Sequence, residues 1–270
     1  MSSFHPRAEH LQMLLLREEF SVTQLIQSGT LDSIVAAFLW AMMARRASVL
    51  VAAGPRLVGK STTLHALTSF LPEDTQFVYA RGQYETFDLE GSTDPQKTYI
   101  LVSEISDHTP HYLRGPAVDK LFQLLESGYR MGATLHADTP EEVVQAIKHY
   151  SVDVPVPLIA RGIDLIITLH AEETRRGIRR RIRSINYVWY EPKAPQEIGV
   201  RSLVAWQPDR DVFTVFHSPD AWAQIAEHLG TDTPGLRNEI KARKMVLDQM
   251  VDHEVVDYDR VLDIIHGYSP

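Results

Sequence analysis

Residues 48–53 form a short apolar run and residues 61–70 have helical character. Between them stands Gly54-Pro55-Arg56-Leu57-Val58-Gly59-Lys60-Ser61. That stretch fits G-x-x-x-x-G-K-[ST], the loop that wraps nucleotide phosphates. Phosphates are anions, and a turn leading into a helix N-terminus lets backbone N–H groups close around them with no side chain in the way. Lys60 is placed to neutralise the β- and γ-phosphates, and Ser61 to put a hydroxyl on Mg²⁺. The expected cofactors are therefore ATP and Mg²⁺, held by Gly54, Pro55, Arg56, Leu57, Val58, Gly59, Lys60, Ser61 and the following Thr62. Arg56, Leu57 and Val58 are bulky for such a loop, so their side chains must point away from the phosphates.

The chain around the loop alternates between the two periodicities. Strands are predicted at 77–80, 98–103, 131–136 and 164–169, and a helix at 117–125. Thr139-Pro140-Glu141-Glu142 is a capping box that opens another helix, ending near His149. Strands and helices alternating at this pace imply a parallel sheet covered on both faces. Upstream, helices are expected at 8–19 and at 22–27, the second capped by Ser21 and stopped by Gly29. An amphipathic helix follows from Asp32 to about Arg46. Downstream, 178–185 and 187–190 read as strands of a hairpin or edge. A further hairpin, 202–206 with 212–216, turns at Pro208-Asp209-Arg210-Asp211. Two helices close the chain, one starting at Thr233-Pro234 and one lined by Tyr258, Val261, Leu262 and Ile265. The expected fold class is α/β: a P-loop core with a parallel sheet (47–191), a helical lead-in (1–46) and a C-terminal hairpin and helical region (192–270).

Composition excludes several classes. The 270 residues contain no cysteine, which rules out disulfides and thiolate zinc sites. The longest apolar stretch, 34–43, falls short of the roughly 20 residues a bilayer crossing needs. A soluble, cytoplasmic protein is expected, with no integral membrane segment. The net charge of −8 argues against a nucleic-acid coat protein. One dense basic segment, 175–183, reads as a strand after a glycine turn. It is a solvated hairpin face, or a contact for an acidic neighbour across a subunit interface or for nucleic acid. Few aromatics interleave it, so base stacking is not indicated.

The strand at 98–103 delivers Glu104 to its C-terminal end, where parallel sheets keep their ligands. A carboxylate there can hold Mg²⁺ or orient and deprotonate a water. Asp107 is a second acid nearby.

With these residues in place, the chain resembles the type II/type IV secretion and pilus-assembly ATPases. Residues 99–107, YILVSEISD, are similar to that family's Walker B region, an apolar run followed by GEIRD. Glu104 and Asp107 match its acids, while Ser103 and Ser106 replace its glycine and arginine. Residues 128–140 resemble its His box, in which a TLH triplet ends a strand, and His136 matches the histidine. The likeness runs from about Phe20 through residues 163–169 and the basic strand to the tail, which is similar to archaeal-type members.

The resemblance implies a RecA-like core that forms a homo-oligomer, a hexameric ring. Such a ring converts ATP hydrolysis into movement of a secretion or pilus machine, beside inner-membrane platform proteins at the cytoplasmic face. It also implies that His136 senses the γ-phosphate or couples sites, with Glu104 and Lys60 catalytic. Glu85 would stand in for an acid of the family's EDP-like segment, which is replaced here by residues 79–85. The family carries a large N-terminal domain that contributes arginines. About fifty residues precede this loop, so arginines acting in trans are expected from the core, with Arg81, Arg114 and Arg130 as candidates. The alternative is a nucleotide-binding assembly module derived from that family that hydrolyses weakly or not at all. A nucleoside or small-molecule kinase would need a lid with paired arginines, and a DNA translocase would use the basic segment.

Overall fold

The computed structural model describes residues 20–54, 57–89, 91–175, 177–190 and 197–269. The helix expected at 8–19 and the loop residues Pro55 and Arg56 lie outside them. The elements run α1 (Val22–Gln27), α2 (Ser33–Met43), β1 (Val49–Ala52), α3 (Lys60–Thr68), β2 (Gln76–Tyr79), β3 (Thr98–Ile105) and α4 (Pro116–Glu126). They continue with β4 (Arg130–Leu135), α5 (Pro140–Tyr150), α6 (Val156–Gly162), β5 (Leu165–Thr174) and β6 (Gly177–Tyr190). The last are β7 (Ile198–Gln207), β8 (Val212–Val215), α7 (Pro219–His228), α8 (Thr233–Asp252) and α9 (Tyr258–Gly267).

Among the described residues all eight strands lie in one sheet, in the order β2-β3-β4-β1-β5-β6-β7-β8. From β2 to β5 neighbours are parallel, as the alternating pattern predicts. From β5 onward they are antiparallel. The change of direction is made at Gly177, whose φ of 115° suits a residue with no Cβ. The two strand segments read at 178–185 and 187–190 are a single 14-residue strand. A register shift against β7 between Ile185 and Asn186 absorbs the break seen in the pattern.

Each central strand feeds two cores, because successive side chains point to opposite faces. Val49 and Val51 join one apolar cluster, with residues of α1, α2, α3, α7, α8 and α9. Leu50 and Ala52 join the other, with residues of α4, α5 and α6. Tyr99 and Leu101 alternate with Ile100 and Val102 in the same way. This two-sided burial explains why β1 reads as a continuous apolar run rather than an alternating one.

Helix α2 differs from the expected amphipathic helix. Residues 35–43 are all buried, because the sheet lies on one side and α8 on another. Trp40 stacks on Phe70 with ring centroids 5.3 Å apart, and the Arg243 guanidinium caps its face at 4.7 Å. Its start is as read: Asp32 accepts from the Val35 amide at 2.9 Å. Two helices, α6 and α7, have no counterpart in the sequence reading.

Candidate functional site: a lysine, a glutamate and a histidine at one sheet end

The phosphate-loop sequence leaves β1 at Ala53 and enters α3 at Lys60. Gly59 is the residue before the helix, with φ 102° and no side-chain cap, so the first-turn amides of α3 are left without a capping side chain. Leu57 also has positive φ, 62°, a conformation that costs a non-glycine residue energy and often marks a functional turn. Its side chain is 88% exposed, while Val58 is 2% exposed and joins the core. The two bulky residues thus leave the loop in opposite directions. Ser61 and Thr62 are half-buried on the first turn of α3.

Gly54 is fixed by the opposite strand end. Its amide donates to Asp138 Oδ1 at 3.0 Å. A Cβ at Gly54 would stand 2.2 Å from Asp138 Oδ2, so a larger residue would have to push this carboxylate aside. Asp138 in turn donates its amide to Glu142 Oε2 at 2.7 Å, and Thr139 Oγ1 accepts from the Glu142 amide at 3.2 Å. The capping residues of α5 therefore also clamp the start of the phosphate loop.

Strands β1, β3 and β4 end side by side, and this brings Lys60, Glu104 and His136 together. Lys60 Nζ lies 3.8 Å from Glu104 Oε2 and 3.3 Å from His136 Nε2. His136 Nε2 lies 3.3 Å from Glu104 Oε2. His136 Nδ1 lies 3.0 Å from the Gly54 carbonyl, and both of its ring nitrogens lie 3.3 Å from Lys60 Nζ. Glu104 is 6% exposed, and its Oε1 accepts from Ser106 Oγ at 2.9 Å. A buried carboxylate held between a lysine, a histidine and a hydroxyl meets the requirement that buried charge be paired.

The other candidates lie differently. Glu85 is tied into its own turn, accepting from the amides of Arg81 and Phe87, each at 2.8 Å. Burial would raise its pKa, but these bonds and the Arg81 guanidinium outweigh that and hold the carboxyl below the usual range. Arg81 is spent on Glu85, and Arg114 donates to Gln83 and to the Asp107 carbonyl. Arg130 donates to the carbonyl of Tyr129. Asp107 is exposed, with His108 Nδ1 at 3.7 Å.

Two arginines of the basic strand are ion-paired within the chain. Arg179 pairs with Glu172 and Asp211, and Arg181, 9% exposed, donates twice to Asp211 at 2.8 Å. These bonds hold the Asp211 carboxyl well below its ordinary range. Arg180 is different: its guanidinium donates to the Leu57 carbonyl at 3.4 Å, and its Cδ lies over Gly59. Sequence reasoning missed this arginine, whose one visible signal was the arginine run itself.

No protein-family model matches the chain. It is 28% identical over 277 aligned residues to an uncharacterized protein of Methanocaldococcus jannaschii, MJ0900, covering 92% of this chain and 48% of that protein. The chain thus spans about half the length of that relative. A second uncharacterized protein of the same organism, MJ1287, is 24% identical over 247 residues, covering 82% of this chain and 88% of its own length. Among solved structures, the chain is similar to the VirB11 ATPase from the Brucella suis type IV secretion system, solved with sulphate, at TM-score 0.41 and 19% identity. That match covers 72% of this chain and 58% of that one. It is also similar to the Legionella pneumophila ATPase DotB, at TM-score 0.35 and 16% identity, covering 89% and 65%.

Proposed function

We propose that this chain binds Mg-ATP at the end of β1 and hydrolyses it as a motor ATPase of the secretion and pilus-assembly class. The observation that carries this reading is the meeting of Lys60, Glu104 and His136 within 3.8 Å beside the loop that leads into α3. The residues fit a nucleotide: Gly54 brings no side chain to the start of the loop, and Gly59 in the left-handed region leaves the amides of α3 uncapped. The order of the YILVSEISD and TLH segments after the loop supports the family assignment.

In this reading Lys60 swings from Glu104 toward the phosphates and carries the compensating charge. Glu104, released, orients and deprotonates the attacking water, with Ser106 holding its other oxygen. His136 is fixed by the Gly54 carbonyl, so a shift of the loop on phosphate binding moves the imidazole with it. Ser61 and Glu104 would hold Mg²⁺, which when bound offsets phosphate charge. Glu85, committed to Arg81 and Phe87, takes a structural part in its own turn. The arginine facing the phosphates in this scheme is Arg180, from the same chain.

We further assign the working unit to a homo-oligomeric, hexameric ring at the cytoplasmic face of a membrane, acting on platform proteins of a secretion or pilus machine. Among the described residues no helix is long and apolar enough to cross a membrane. The test is calorimetric ATP binding and steady-state phosphate release, with and without Mg²⁺, for the wild type and Lys60→Ala. Loss of binding in the variant is expected. Unchanged binding would remove the loop from the reaction.

A further inference from the structure

Three ligand-bearing side chains meet beside the phosphate loop, and one of them has no part in the reaction proposed above. One atom each of Glu104, His108 and His136 lies within 4.8 Å of the others. Glu104 Oε2 and His136 Nε2 are 3.3 Å apart. Two ligands take about that separation across a tetrahedral ion with bonds of about 2.0–2.1 Å.

Glu104 and His136 each have a further partner on the atom turned away from the other, and Lys60 Nζ stands 3.3 Å from His136 Nε2 between them. His136 Nδ1 faces the Gly54 carbonyl at 3.0 Å, so Nε2 is the ring nitrogen turned to Glu104. Ser106 Oγ occupies Glu104 Oε1 at 2.9 Å and leaves Oε2. His108 adds an imidazole whose nitrogen lies within 4.8 Å of the other two ligand atoms. A carbonyl behind an imidazole, as at His136, is a contact that orients metal-binding histidines.

We infer that Glu104, His108 and His136 form a binding site for a borderline transition-metal dication of the zinc class. Two imidazoles and one carboxylate suit such an ion, whereas Mg²⁺ prefers oxygen donors. The site shares its carboxylate with Lys60, whose Nζ stands 3.8 Å from Glu104 Oε2. A dication there takes the group Lys60 leans on and repels the ammonium. Metal and nucleotide therefore oppose each other, and the effect is reciprocal. The metal site stands on its own geometry; the antagonism rests on the nucleotide reading.

The full chain is titrated with zinc chloride by calorimetry and with cobalt(II) by visible absorption, without nucleotide. One tight zinc site and the absorption bands of four-coordinate cobalt are expected. His108→Ala should weaken zinc by about 10–100-fold and leave ATP affinity without zinc unchanged. The side chain is 40% exposed and its ring lies 5.7 Å from that of His136, so His108→Asn, which keeps a planar polar group, serves as a second variant. Equal zinc affinity in both variants, or no such cobalt bands in the wild type, overturns the site. Zinc should weaken ATP binding in the wild type and not in His108→Ala; an unchanged ATP affinity overturns the antagonism. If ATP binds none of these proteins, the nucleotide reading fails while the zinc and cobalt measurements still decide the metal site.

Discussion

The guanidinium of Arg180 donates to the carbonyl oxygen of Leu57 at 3.4 Å, so the antiparallel half of the sheet reaches across and touches the phosphate loop. The bond joins strand β6 to a residue in the left-handed region, more than a hundred positions earlier in the chain. It ties a strained turn to a cation of the same chain.

Arg180→Ala should therefore lower ATP affinity by about tenfold, or ~1.4 kcal/mol, with little change in melting temperature, because Arg180 is only half-buried. Arg180→Lys should recover part of it, since a lysine restores the charge without the planar fork. Equal affinity in all three proteins, measured calorimetrically, would place Arg180 outside the nucleotide site.

Glu104→Gln separates binding from chemistry. The amide keeps the shape and the contact with Ser106 but cannot take a proton. ATP binding should persist, while phosphate release falls by about 100-fold or more. If turnover matches the wild type, another acid performs the deprotonation.

Gly54→Ala tests the clamp between the loop and α5. The new Cβ would meet the Asp138 carboxylate at 2.2 Å, and overpacking of this kind costs about 1–3 kcal/mol. Denaturant unfolding should show that loss. Adding Asp138→Ala to Gly54→Ala should restore much of it, because the atom in the way is gone. A Gly54→Ala protein as stable as the wild type would show that the loop can move aside freely.

Two histidines set opposite pH slopes. Burial lowers the pKa of His65, stacked on Tyr258 with centroids 4.8 Å apart, from 6.5 to about 4. The folded state holds it neutral, so its contribution is complete above pH 6.5 and is lost as pH falls toward 4, on the order of 3 kcal/mol. His228 behaves in reverse. A hydrogen bond from its Nε2 to Asp164 Oδ1, 3.1 Å long, raises its pKa above the ordinary value despite partial burial. That contribution is present below about pH 6.5 and fades as pH rises through the raised value. It is small, because the imidazole is 37% exposed and solvent screens the pair. Chemical denaturation from pH 4.5 to 8.5 should show the acid-side loss flattened by His65→Asn and the alkaline-side decline removed by His228→Gln.

The parallel half of the fold was legible because its signals are local. An apolar strand, a glycine-bearing loop and a capped helix each announce themselves within a few residues, and Ser21, Asp32 and Thr139 cap where the pattern placed them. Lys60 and Glu104 stand out for the same reason, one at a helix start and one at a strand end, whereas His136 stands out through the likeness of residues 128–140 to the His box. What stayed hidden depends on partners distant in the chain. Arg179 and Arg181 look like an exposed basic run until Glu172 on β5 and Asp211 beyond β7 are brought alongside. Helix α2 looked one-sided until α8 covered its second face. The helix α6 was missed because Pro155 and Pro157 punctuate so short an apolar stretch. The helix α7 was missed because it lies between a strand and Gly230 with only Ala221, Trp222, Ile225 and Ala226 to mark its face.

The length of β6 has a mechanical corollary. At about 3.3 Å per residue, its 14 residues span the sheet from the Arg180 end, beside the glycine turn, to Trp189 and Tyr190 at the other. Arg180 lies on the part of β6 that pairs with β5 alone, opposite Ala171, so any tug on it must be met by sliding along β5. The phosphate loop is thereby tied to the same stiff rod that carries the far edge of the molecule.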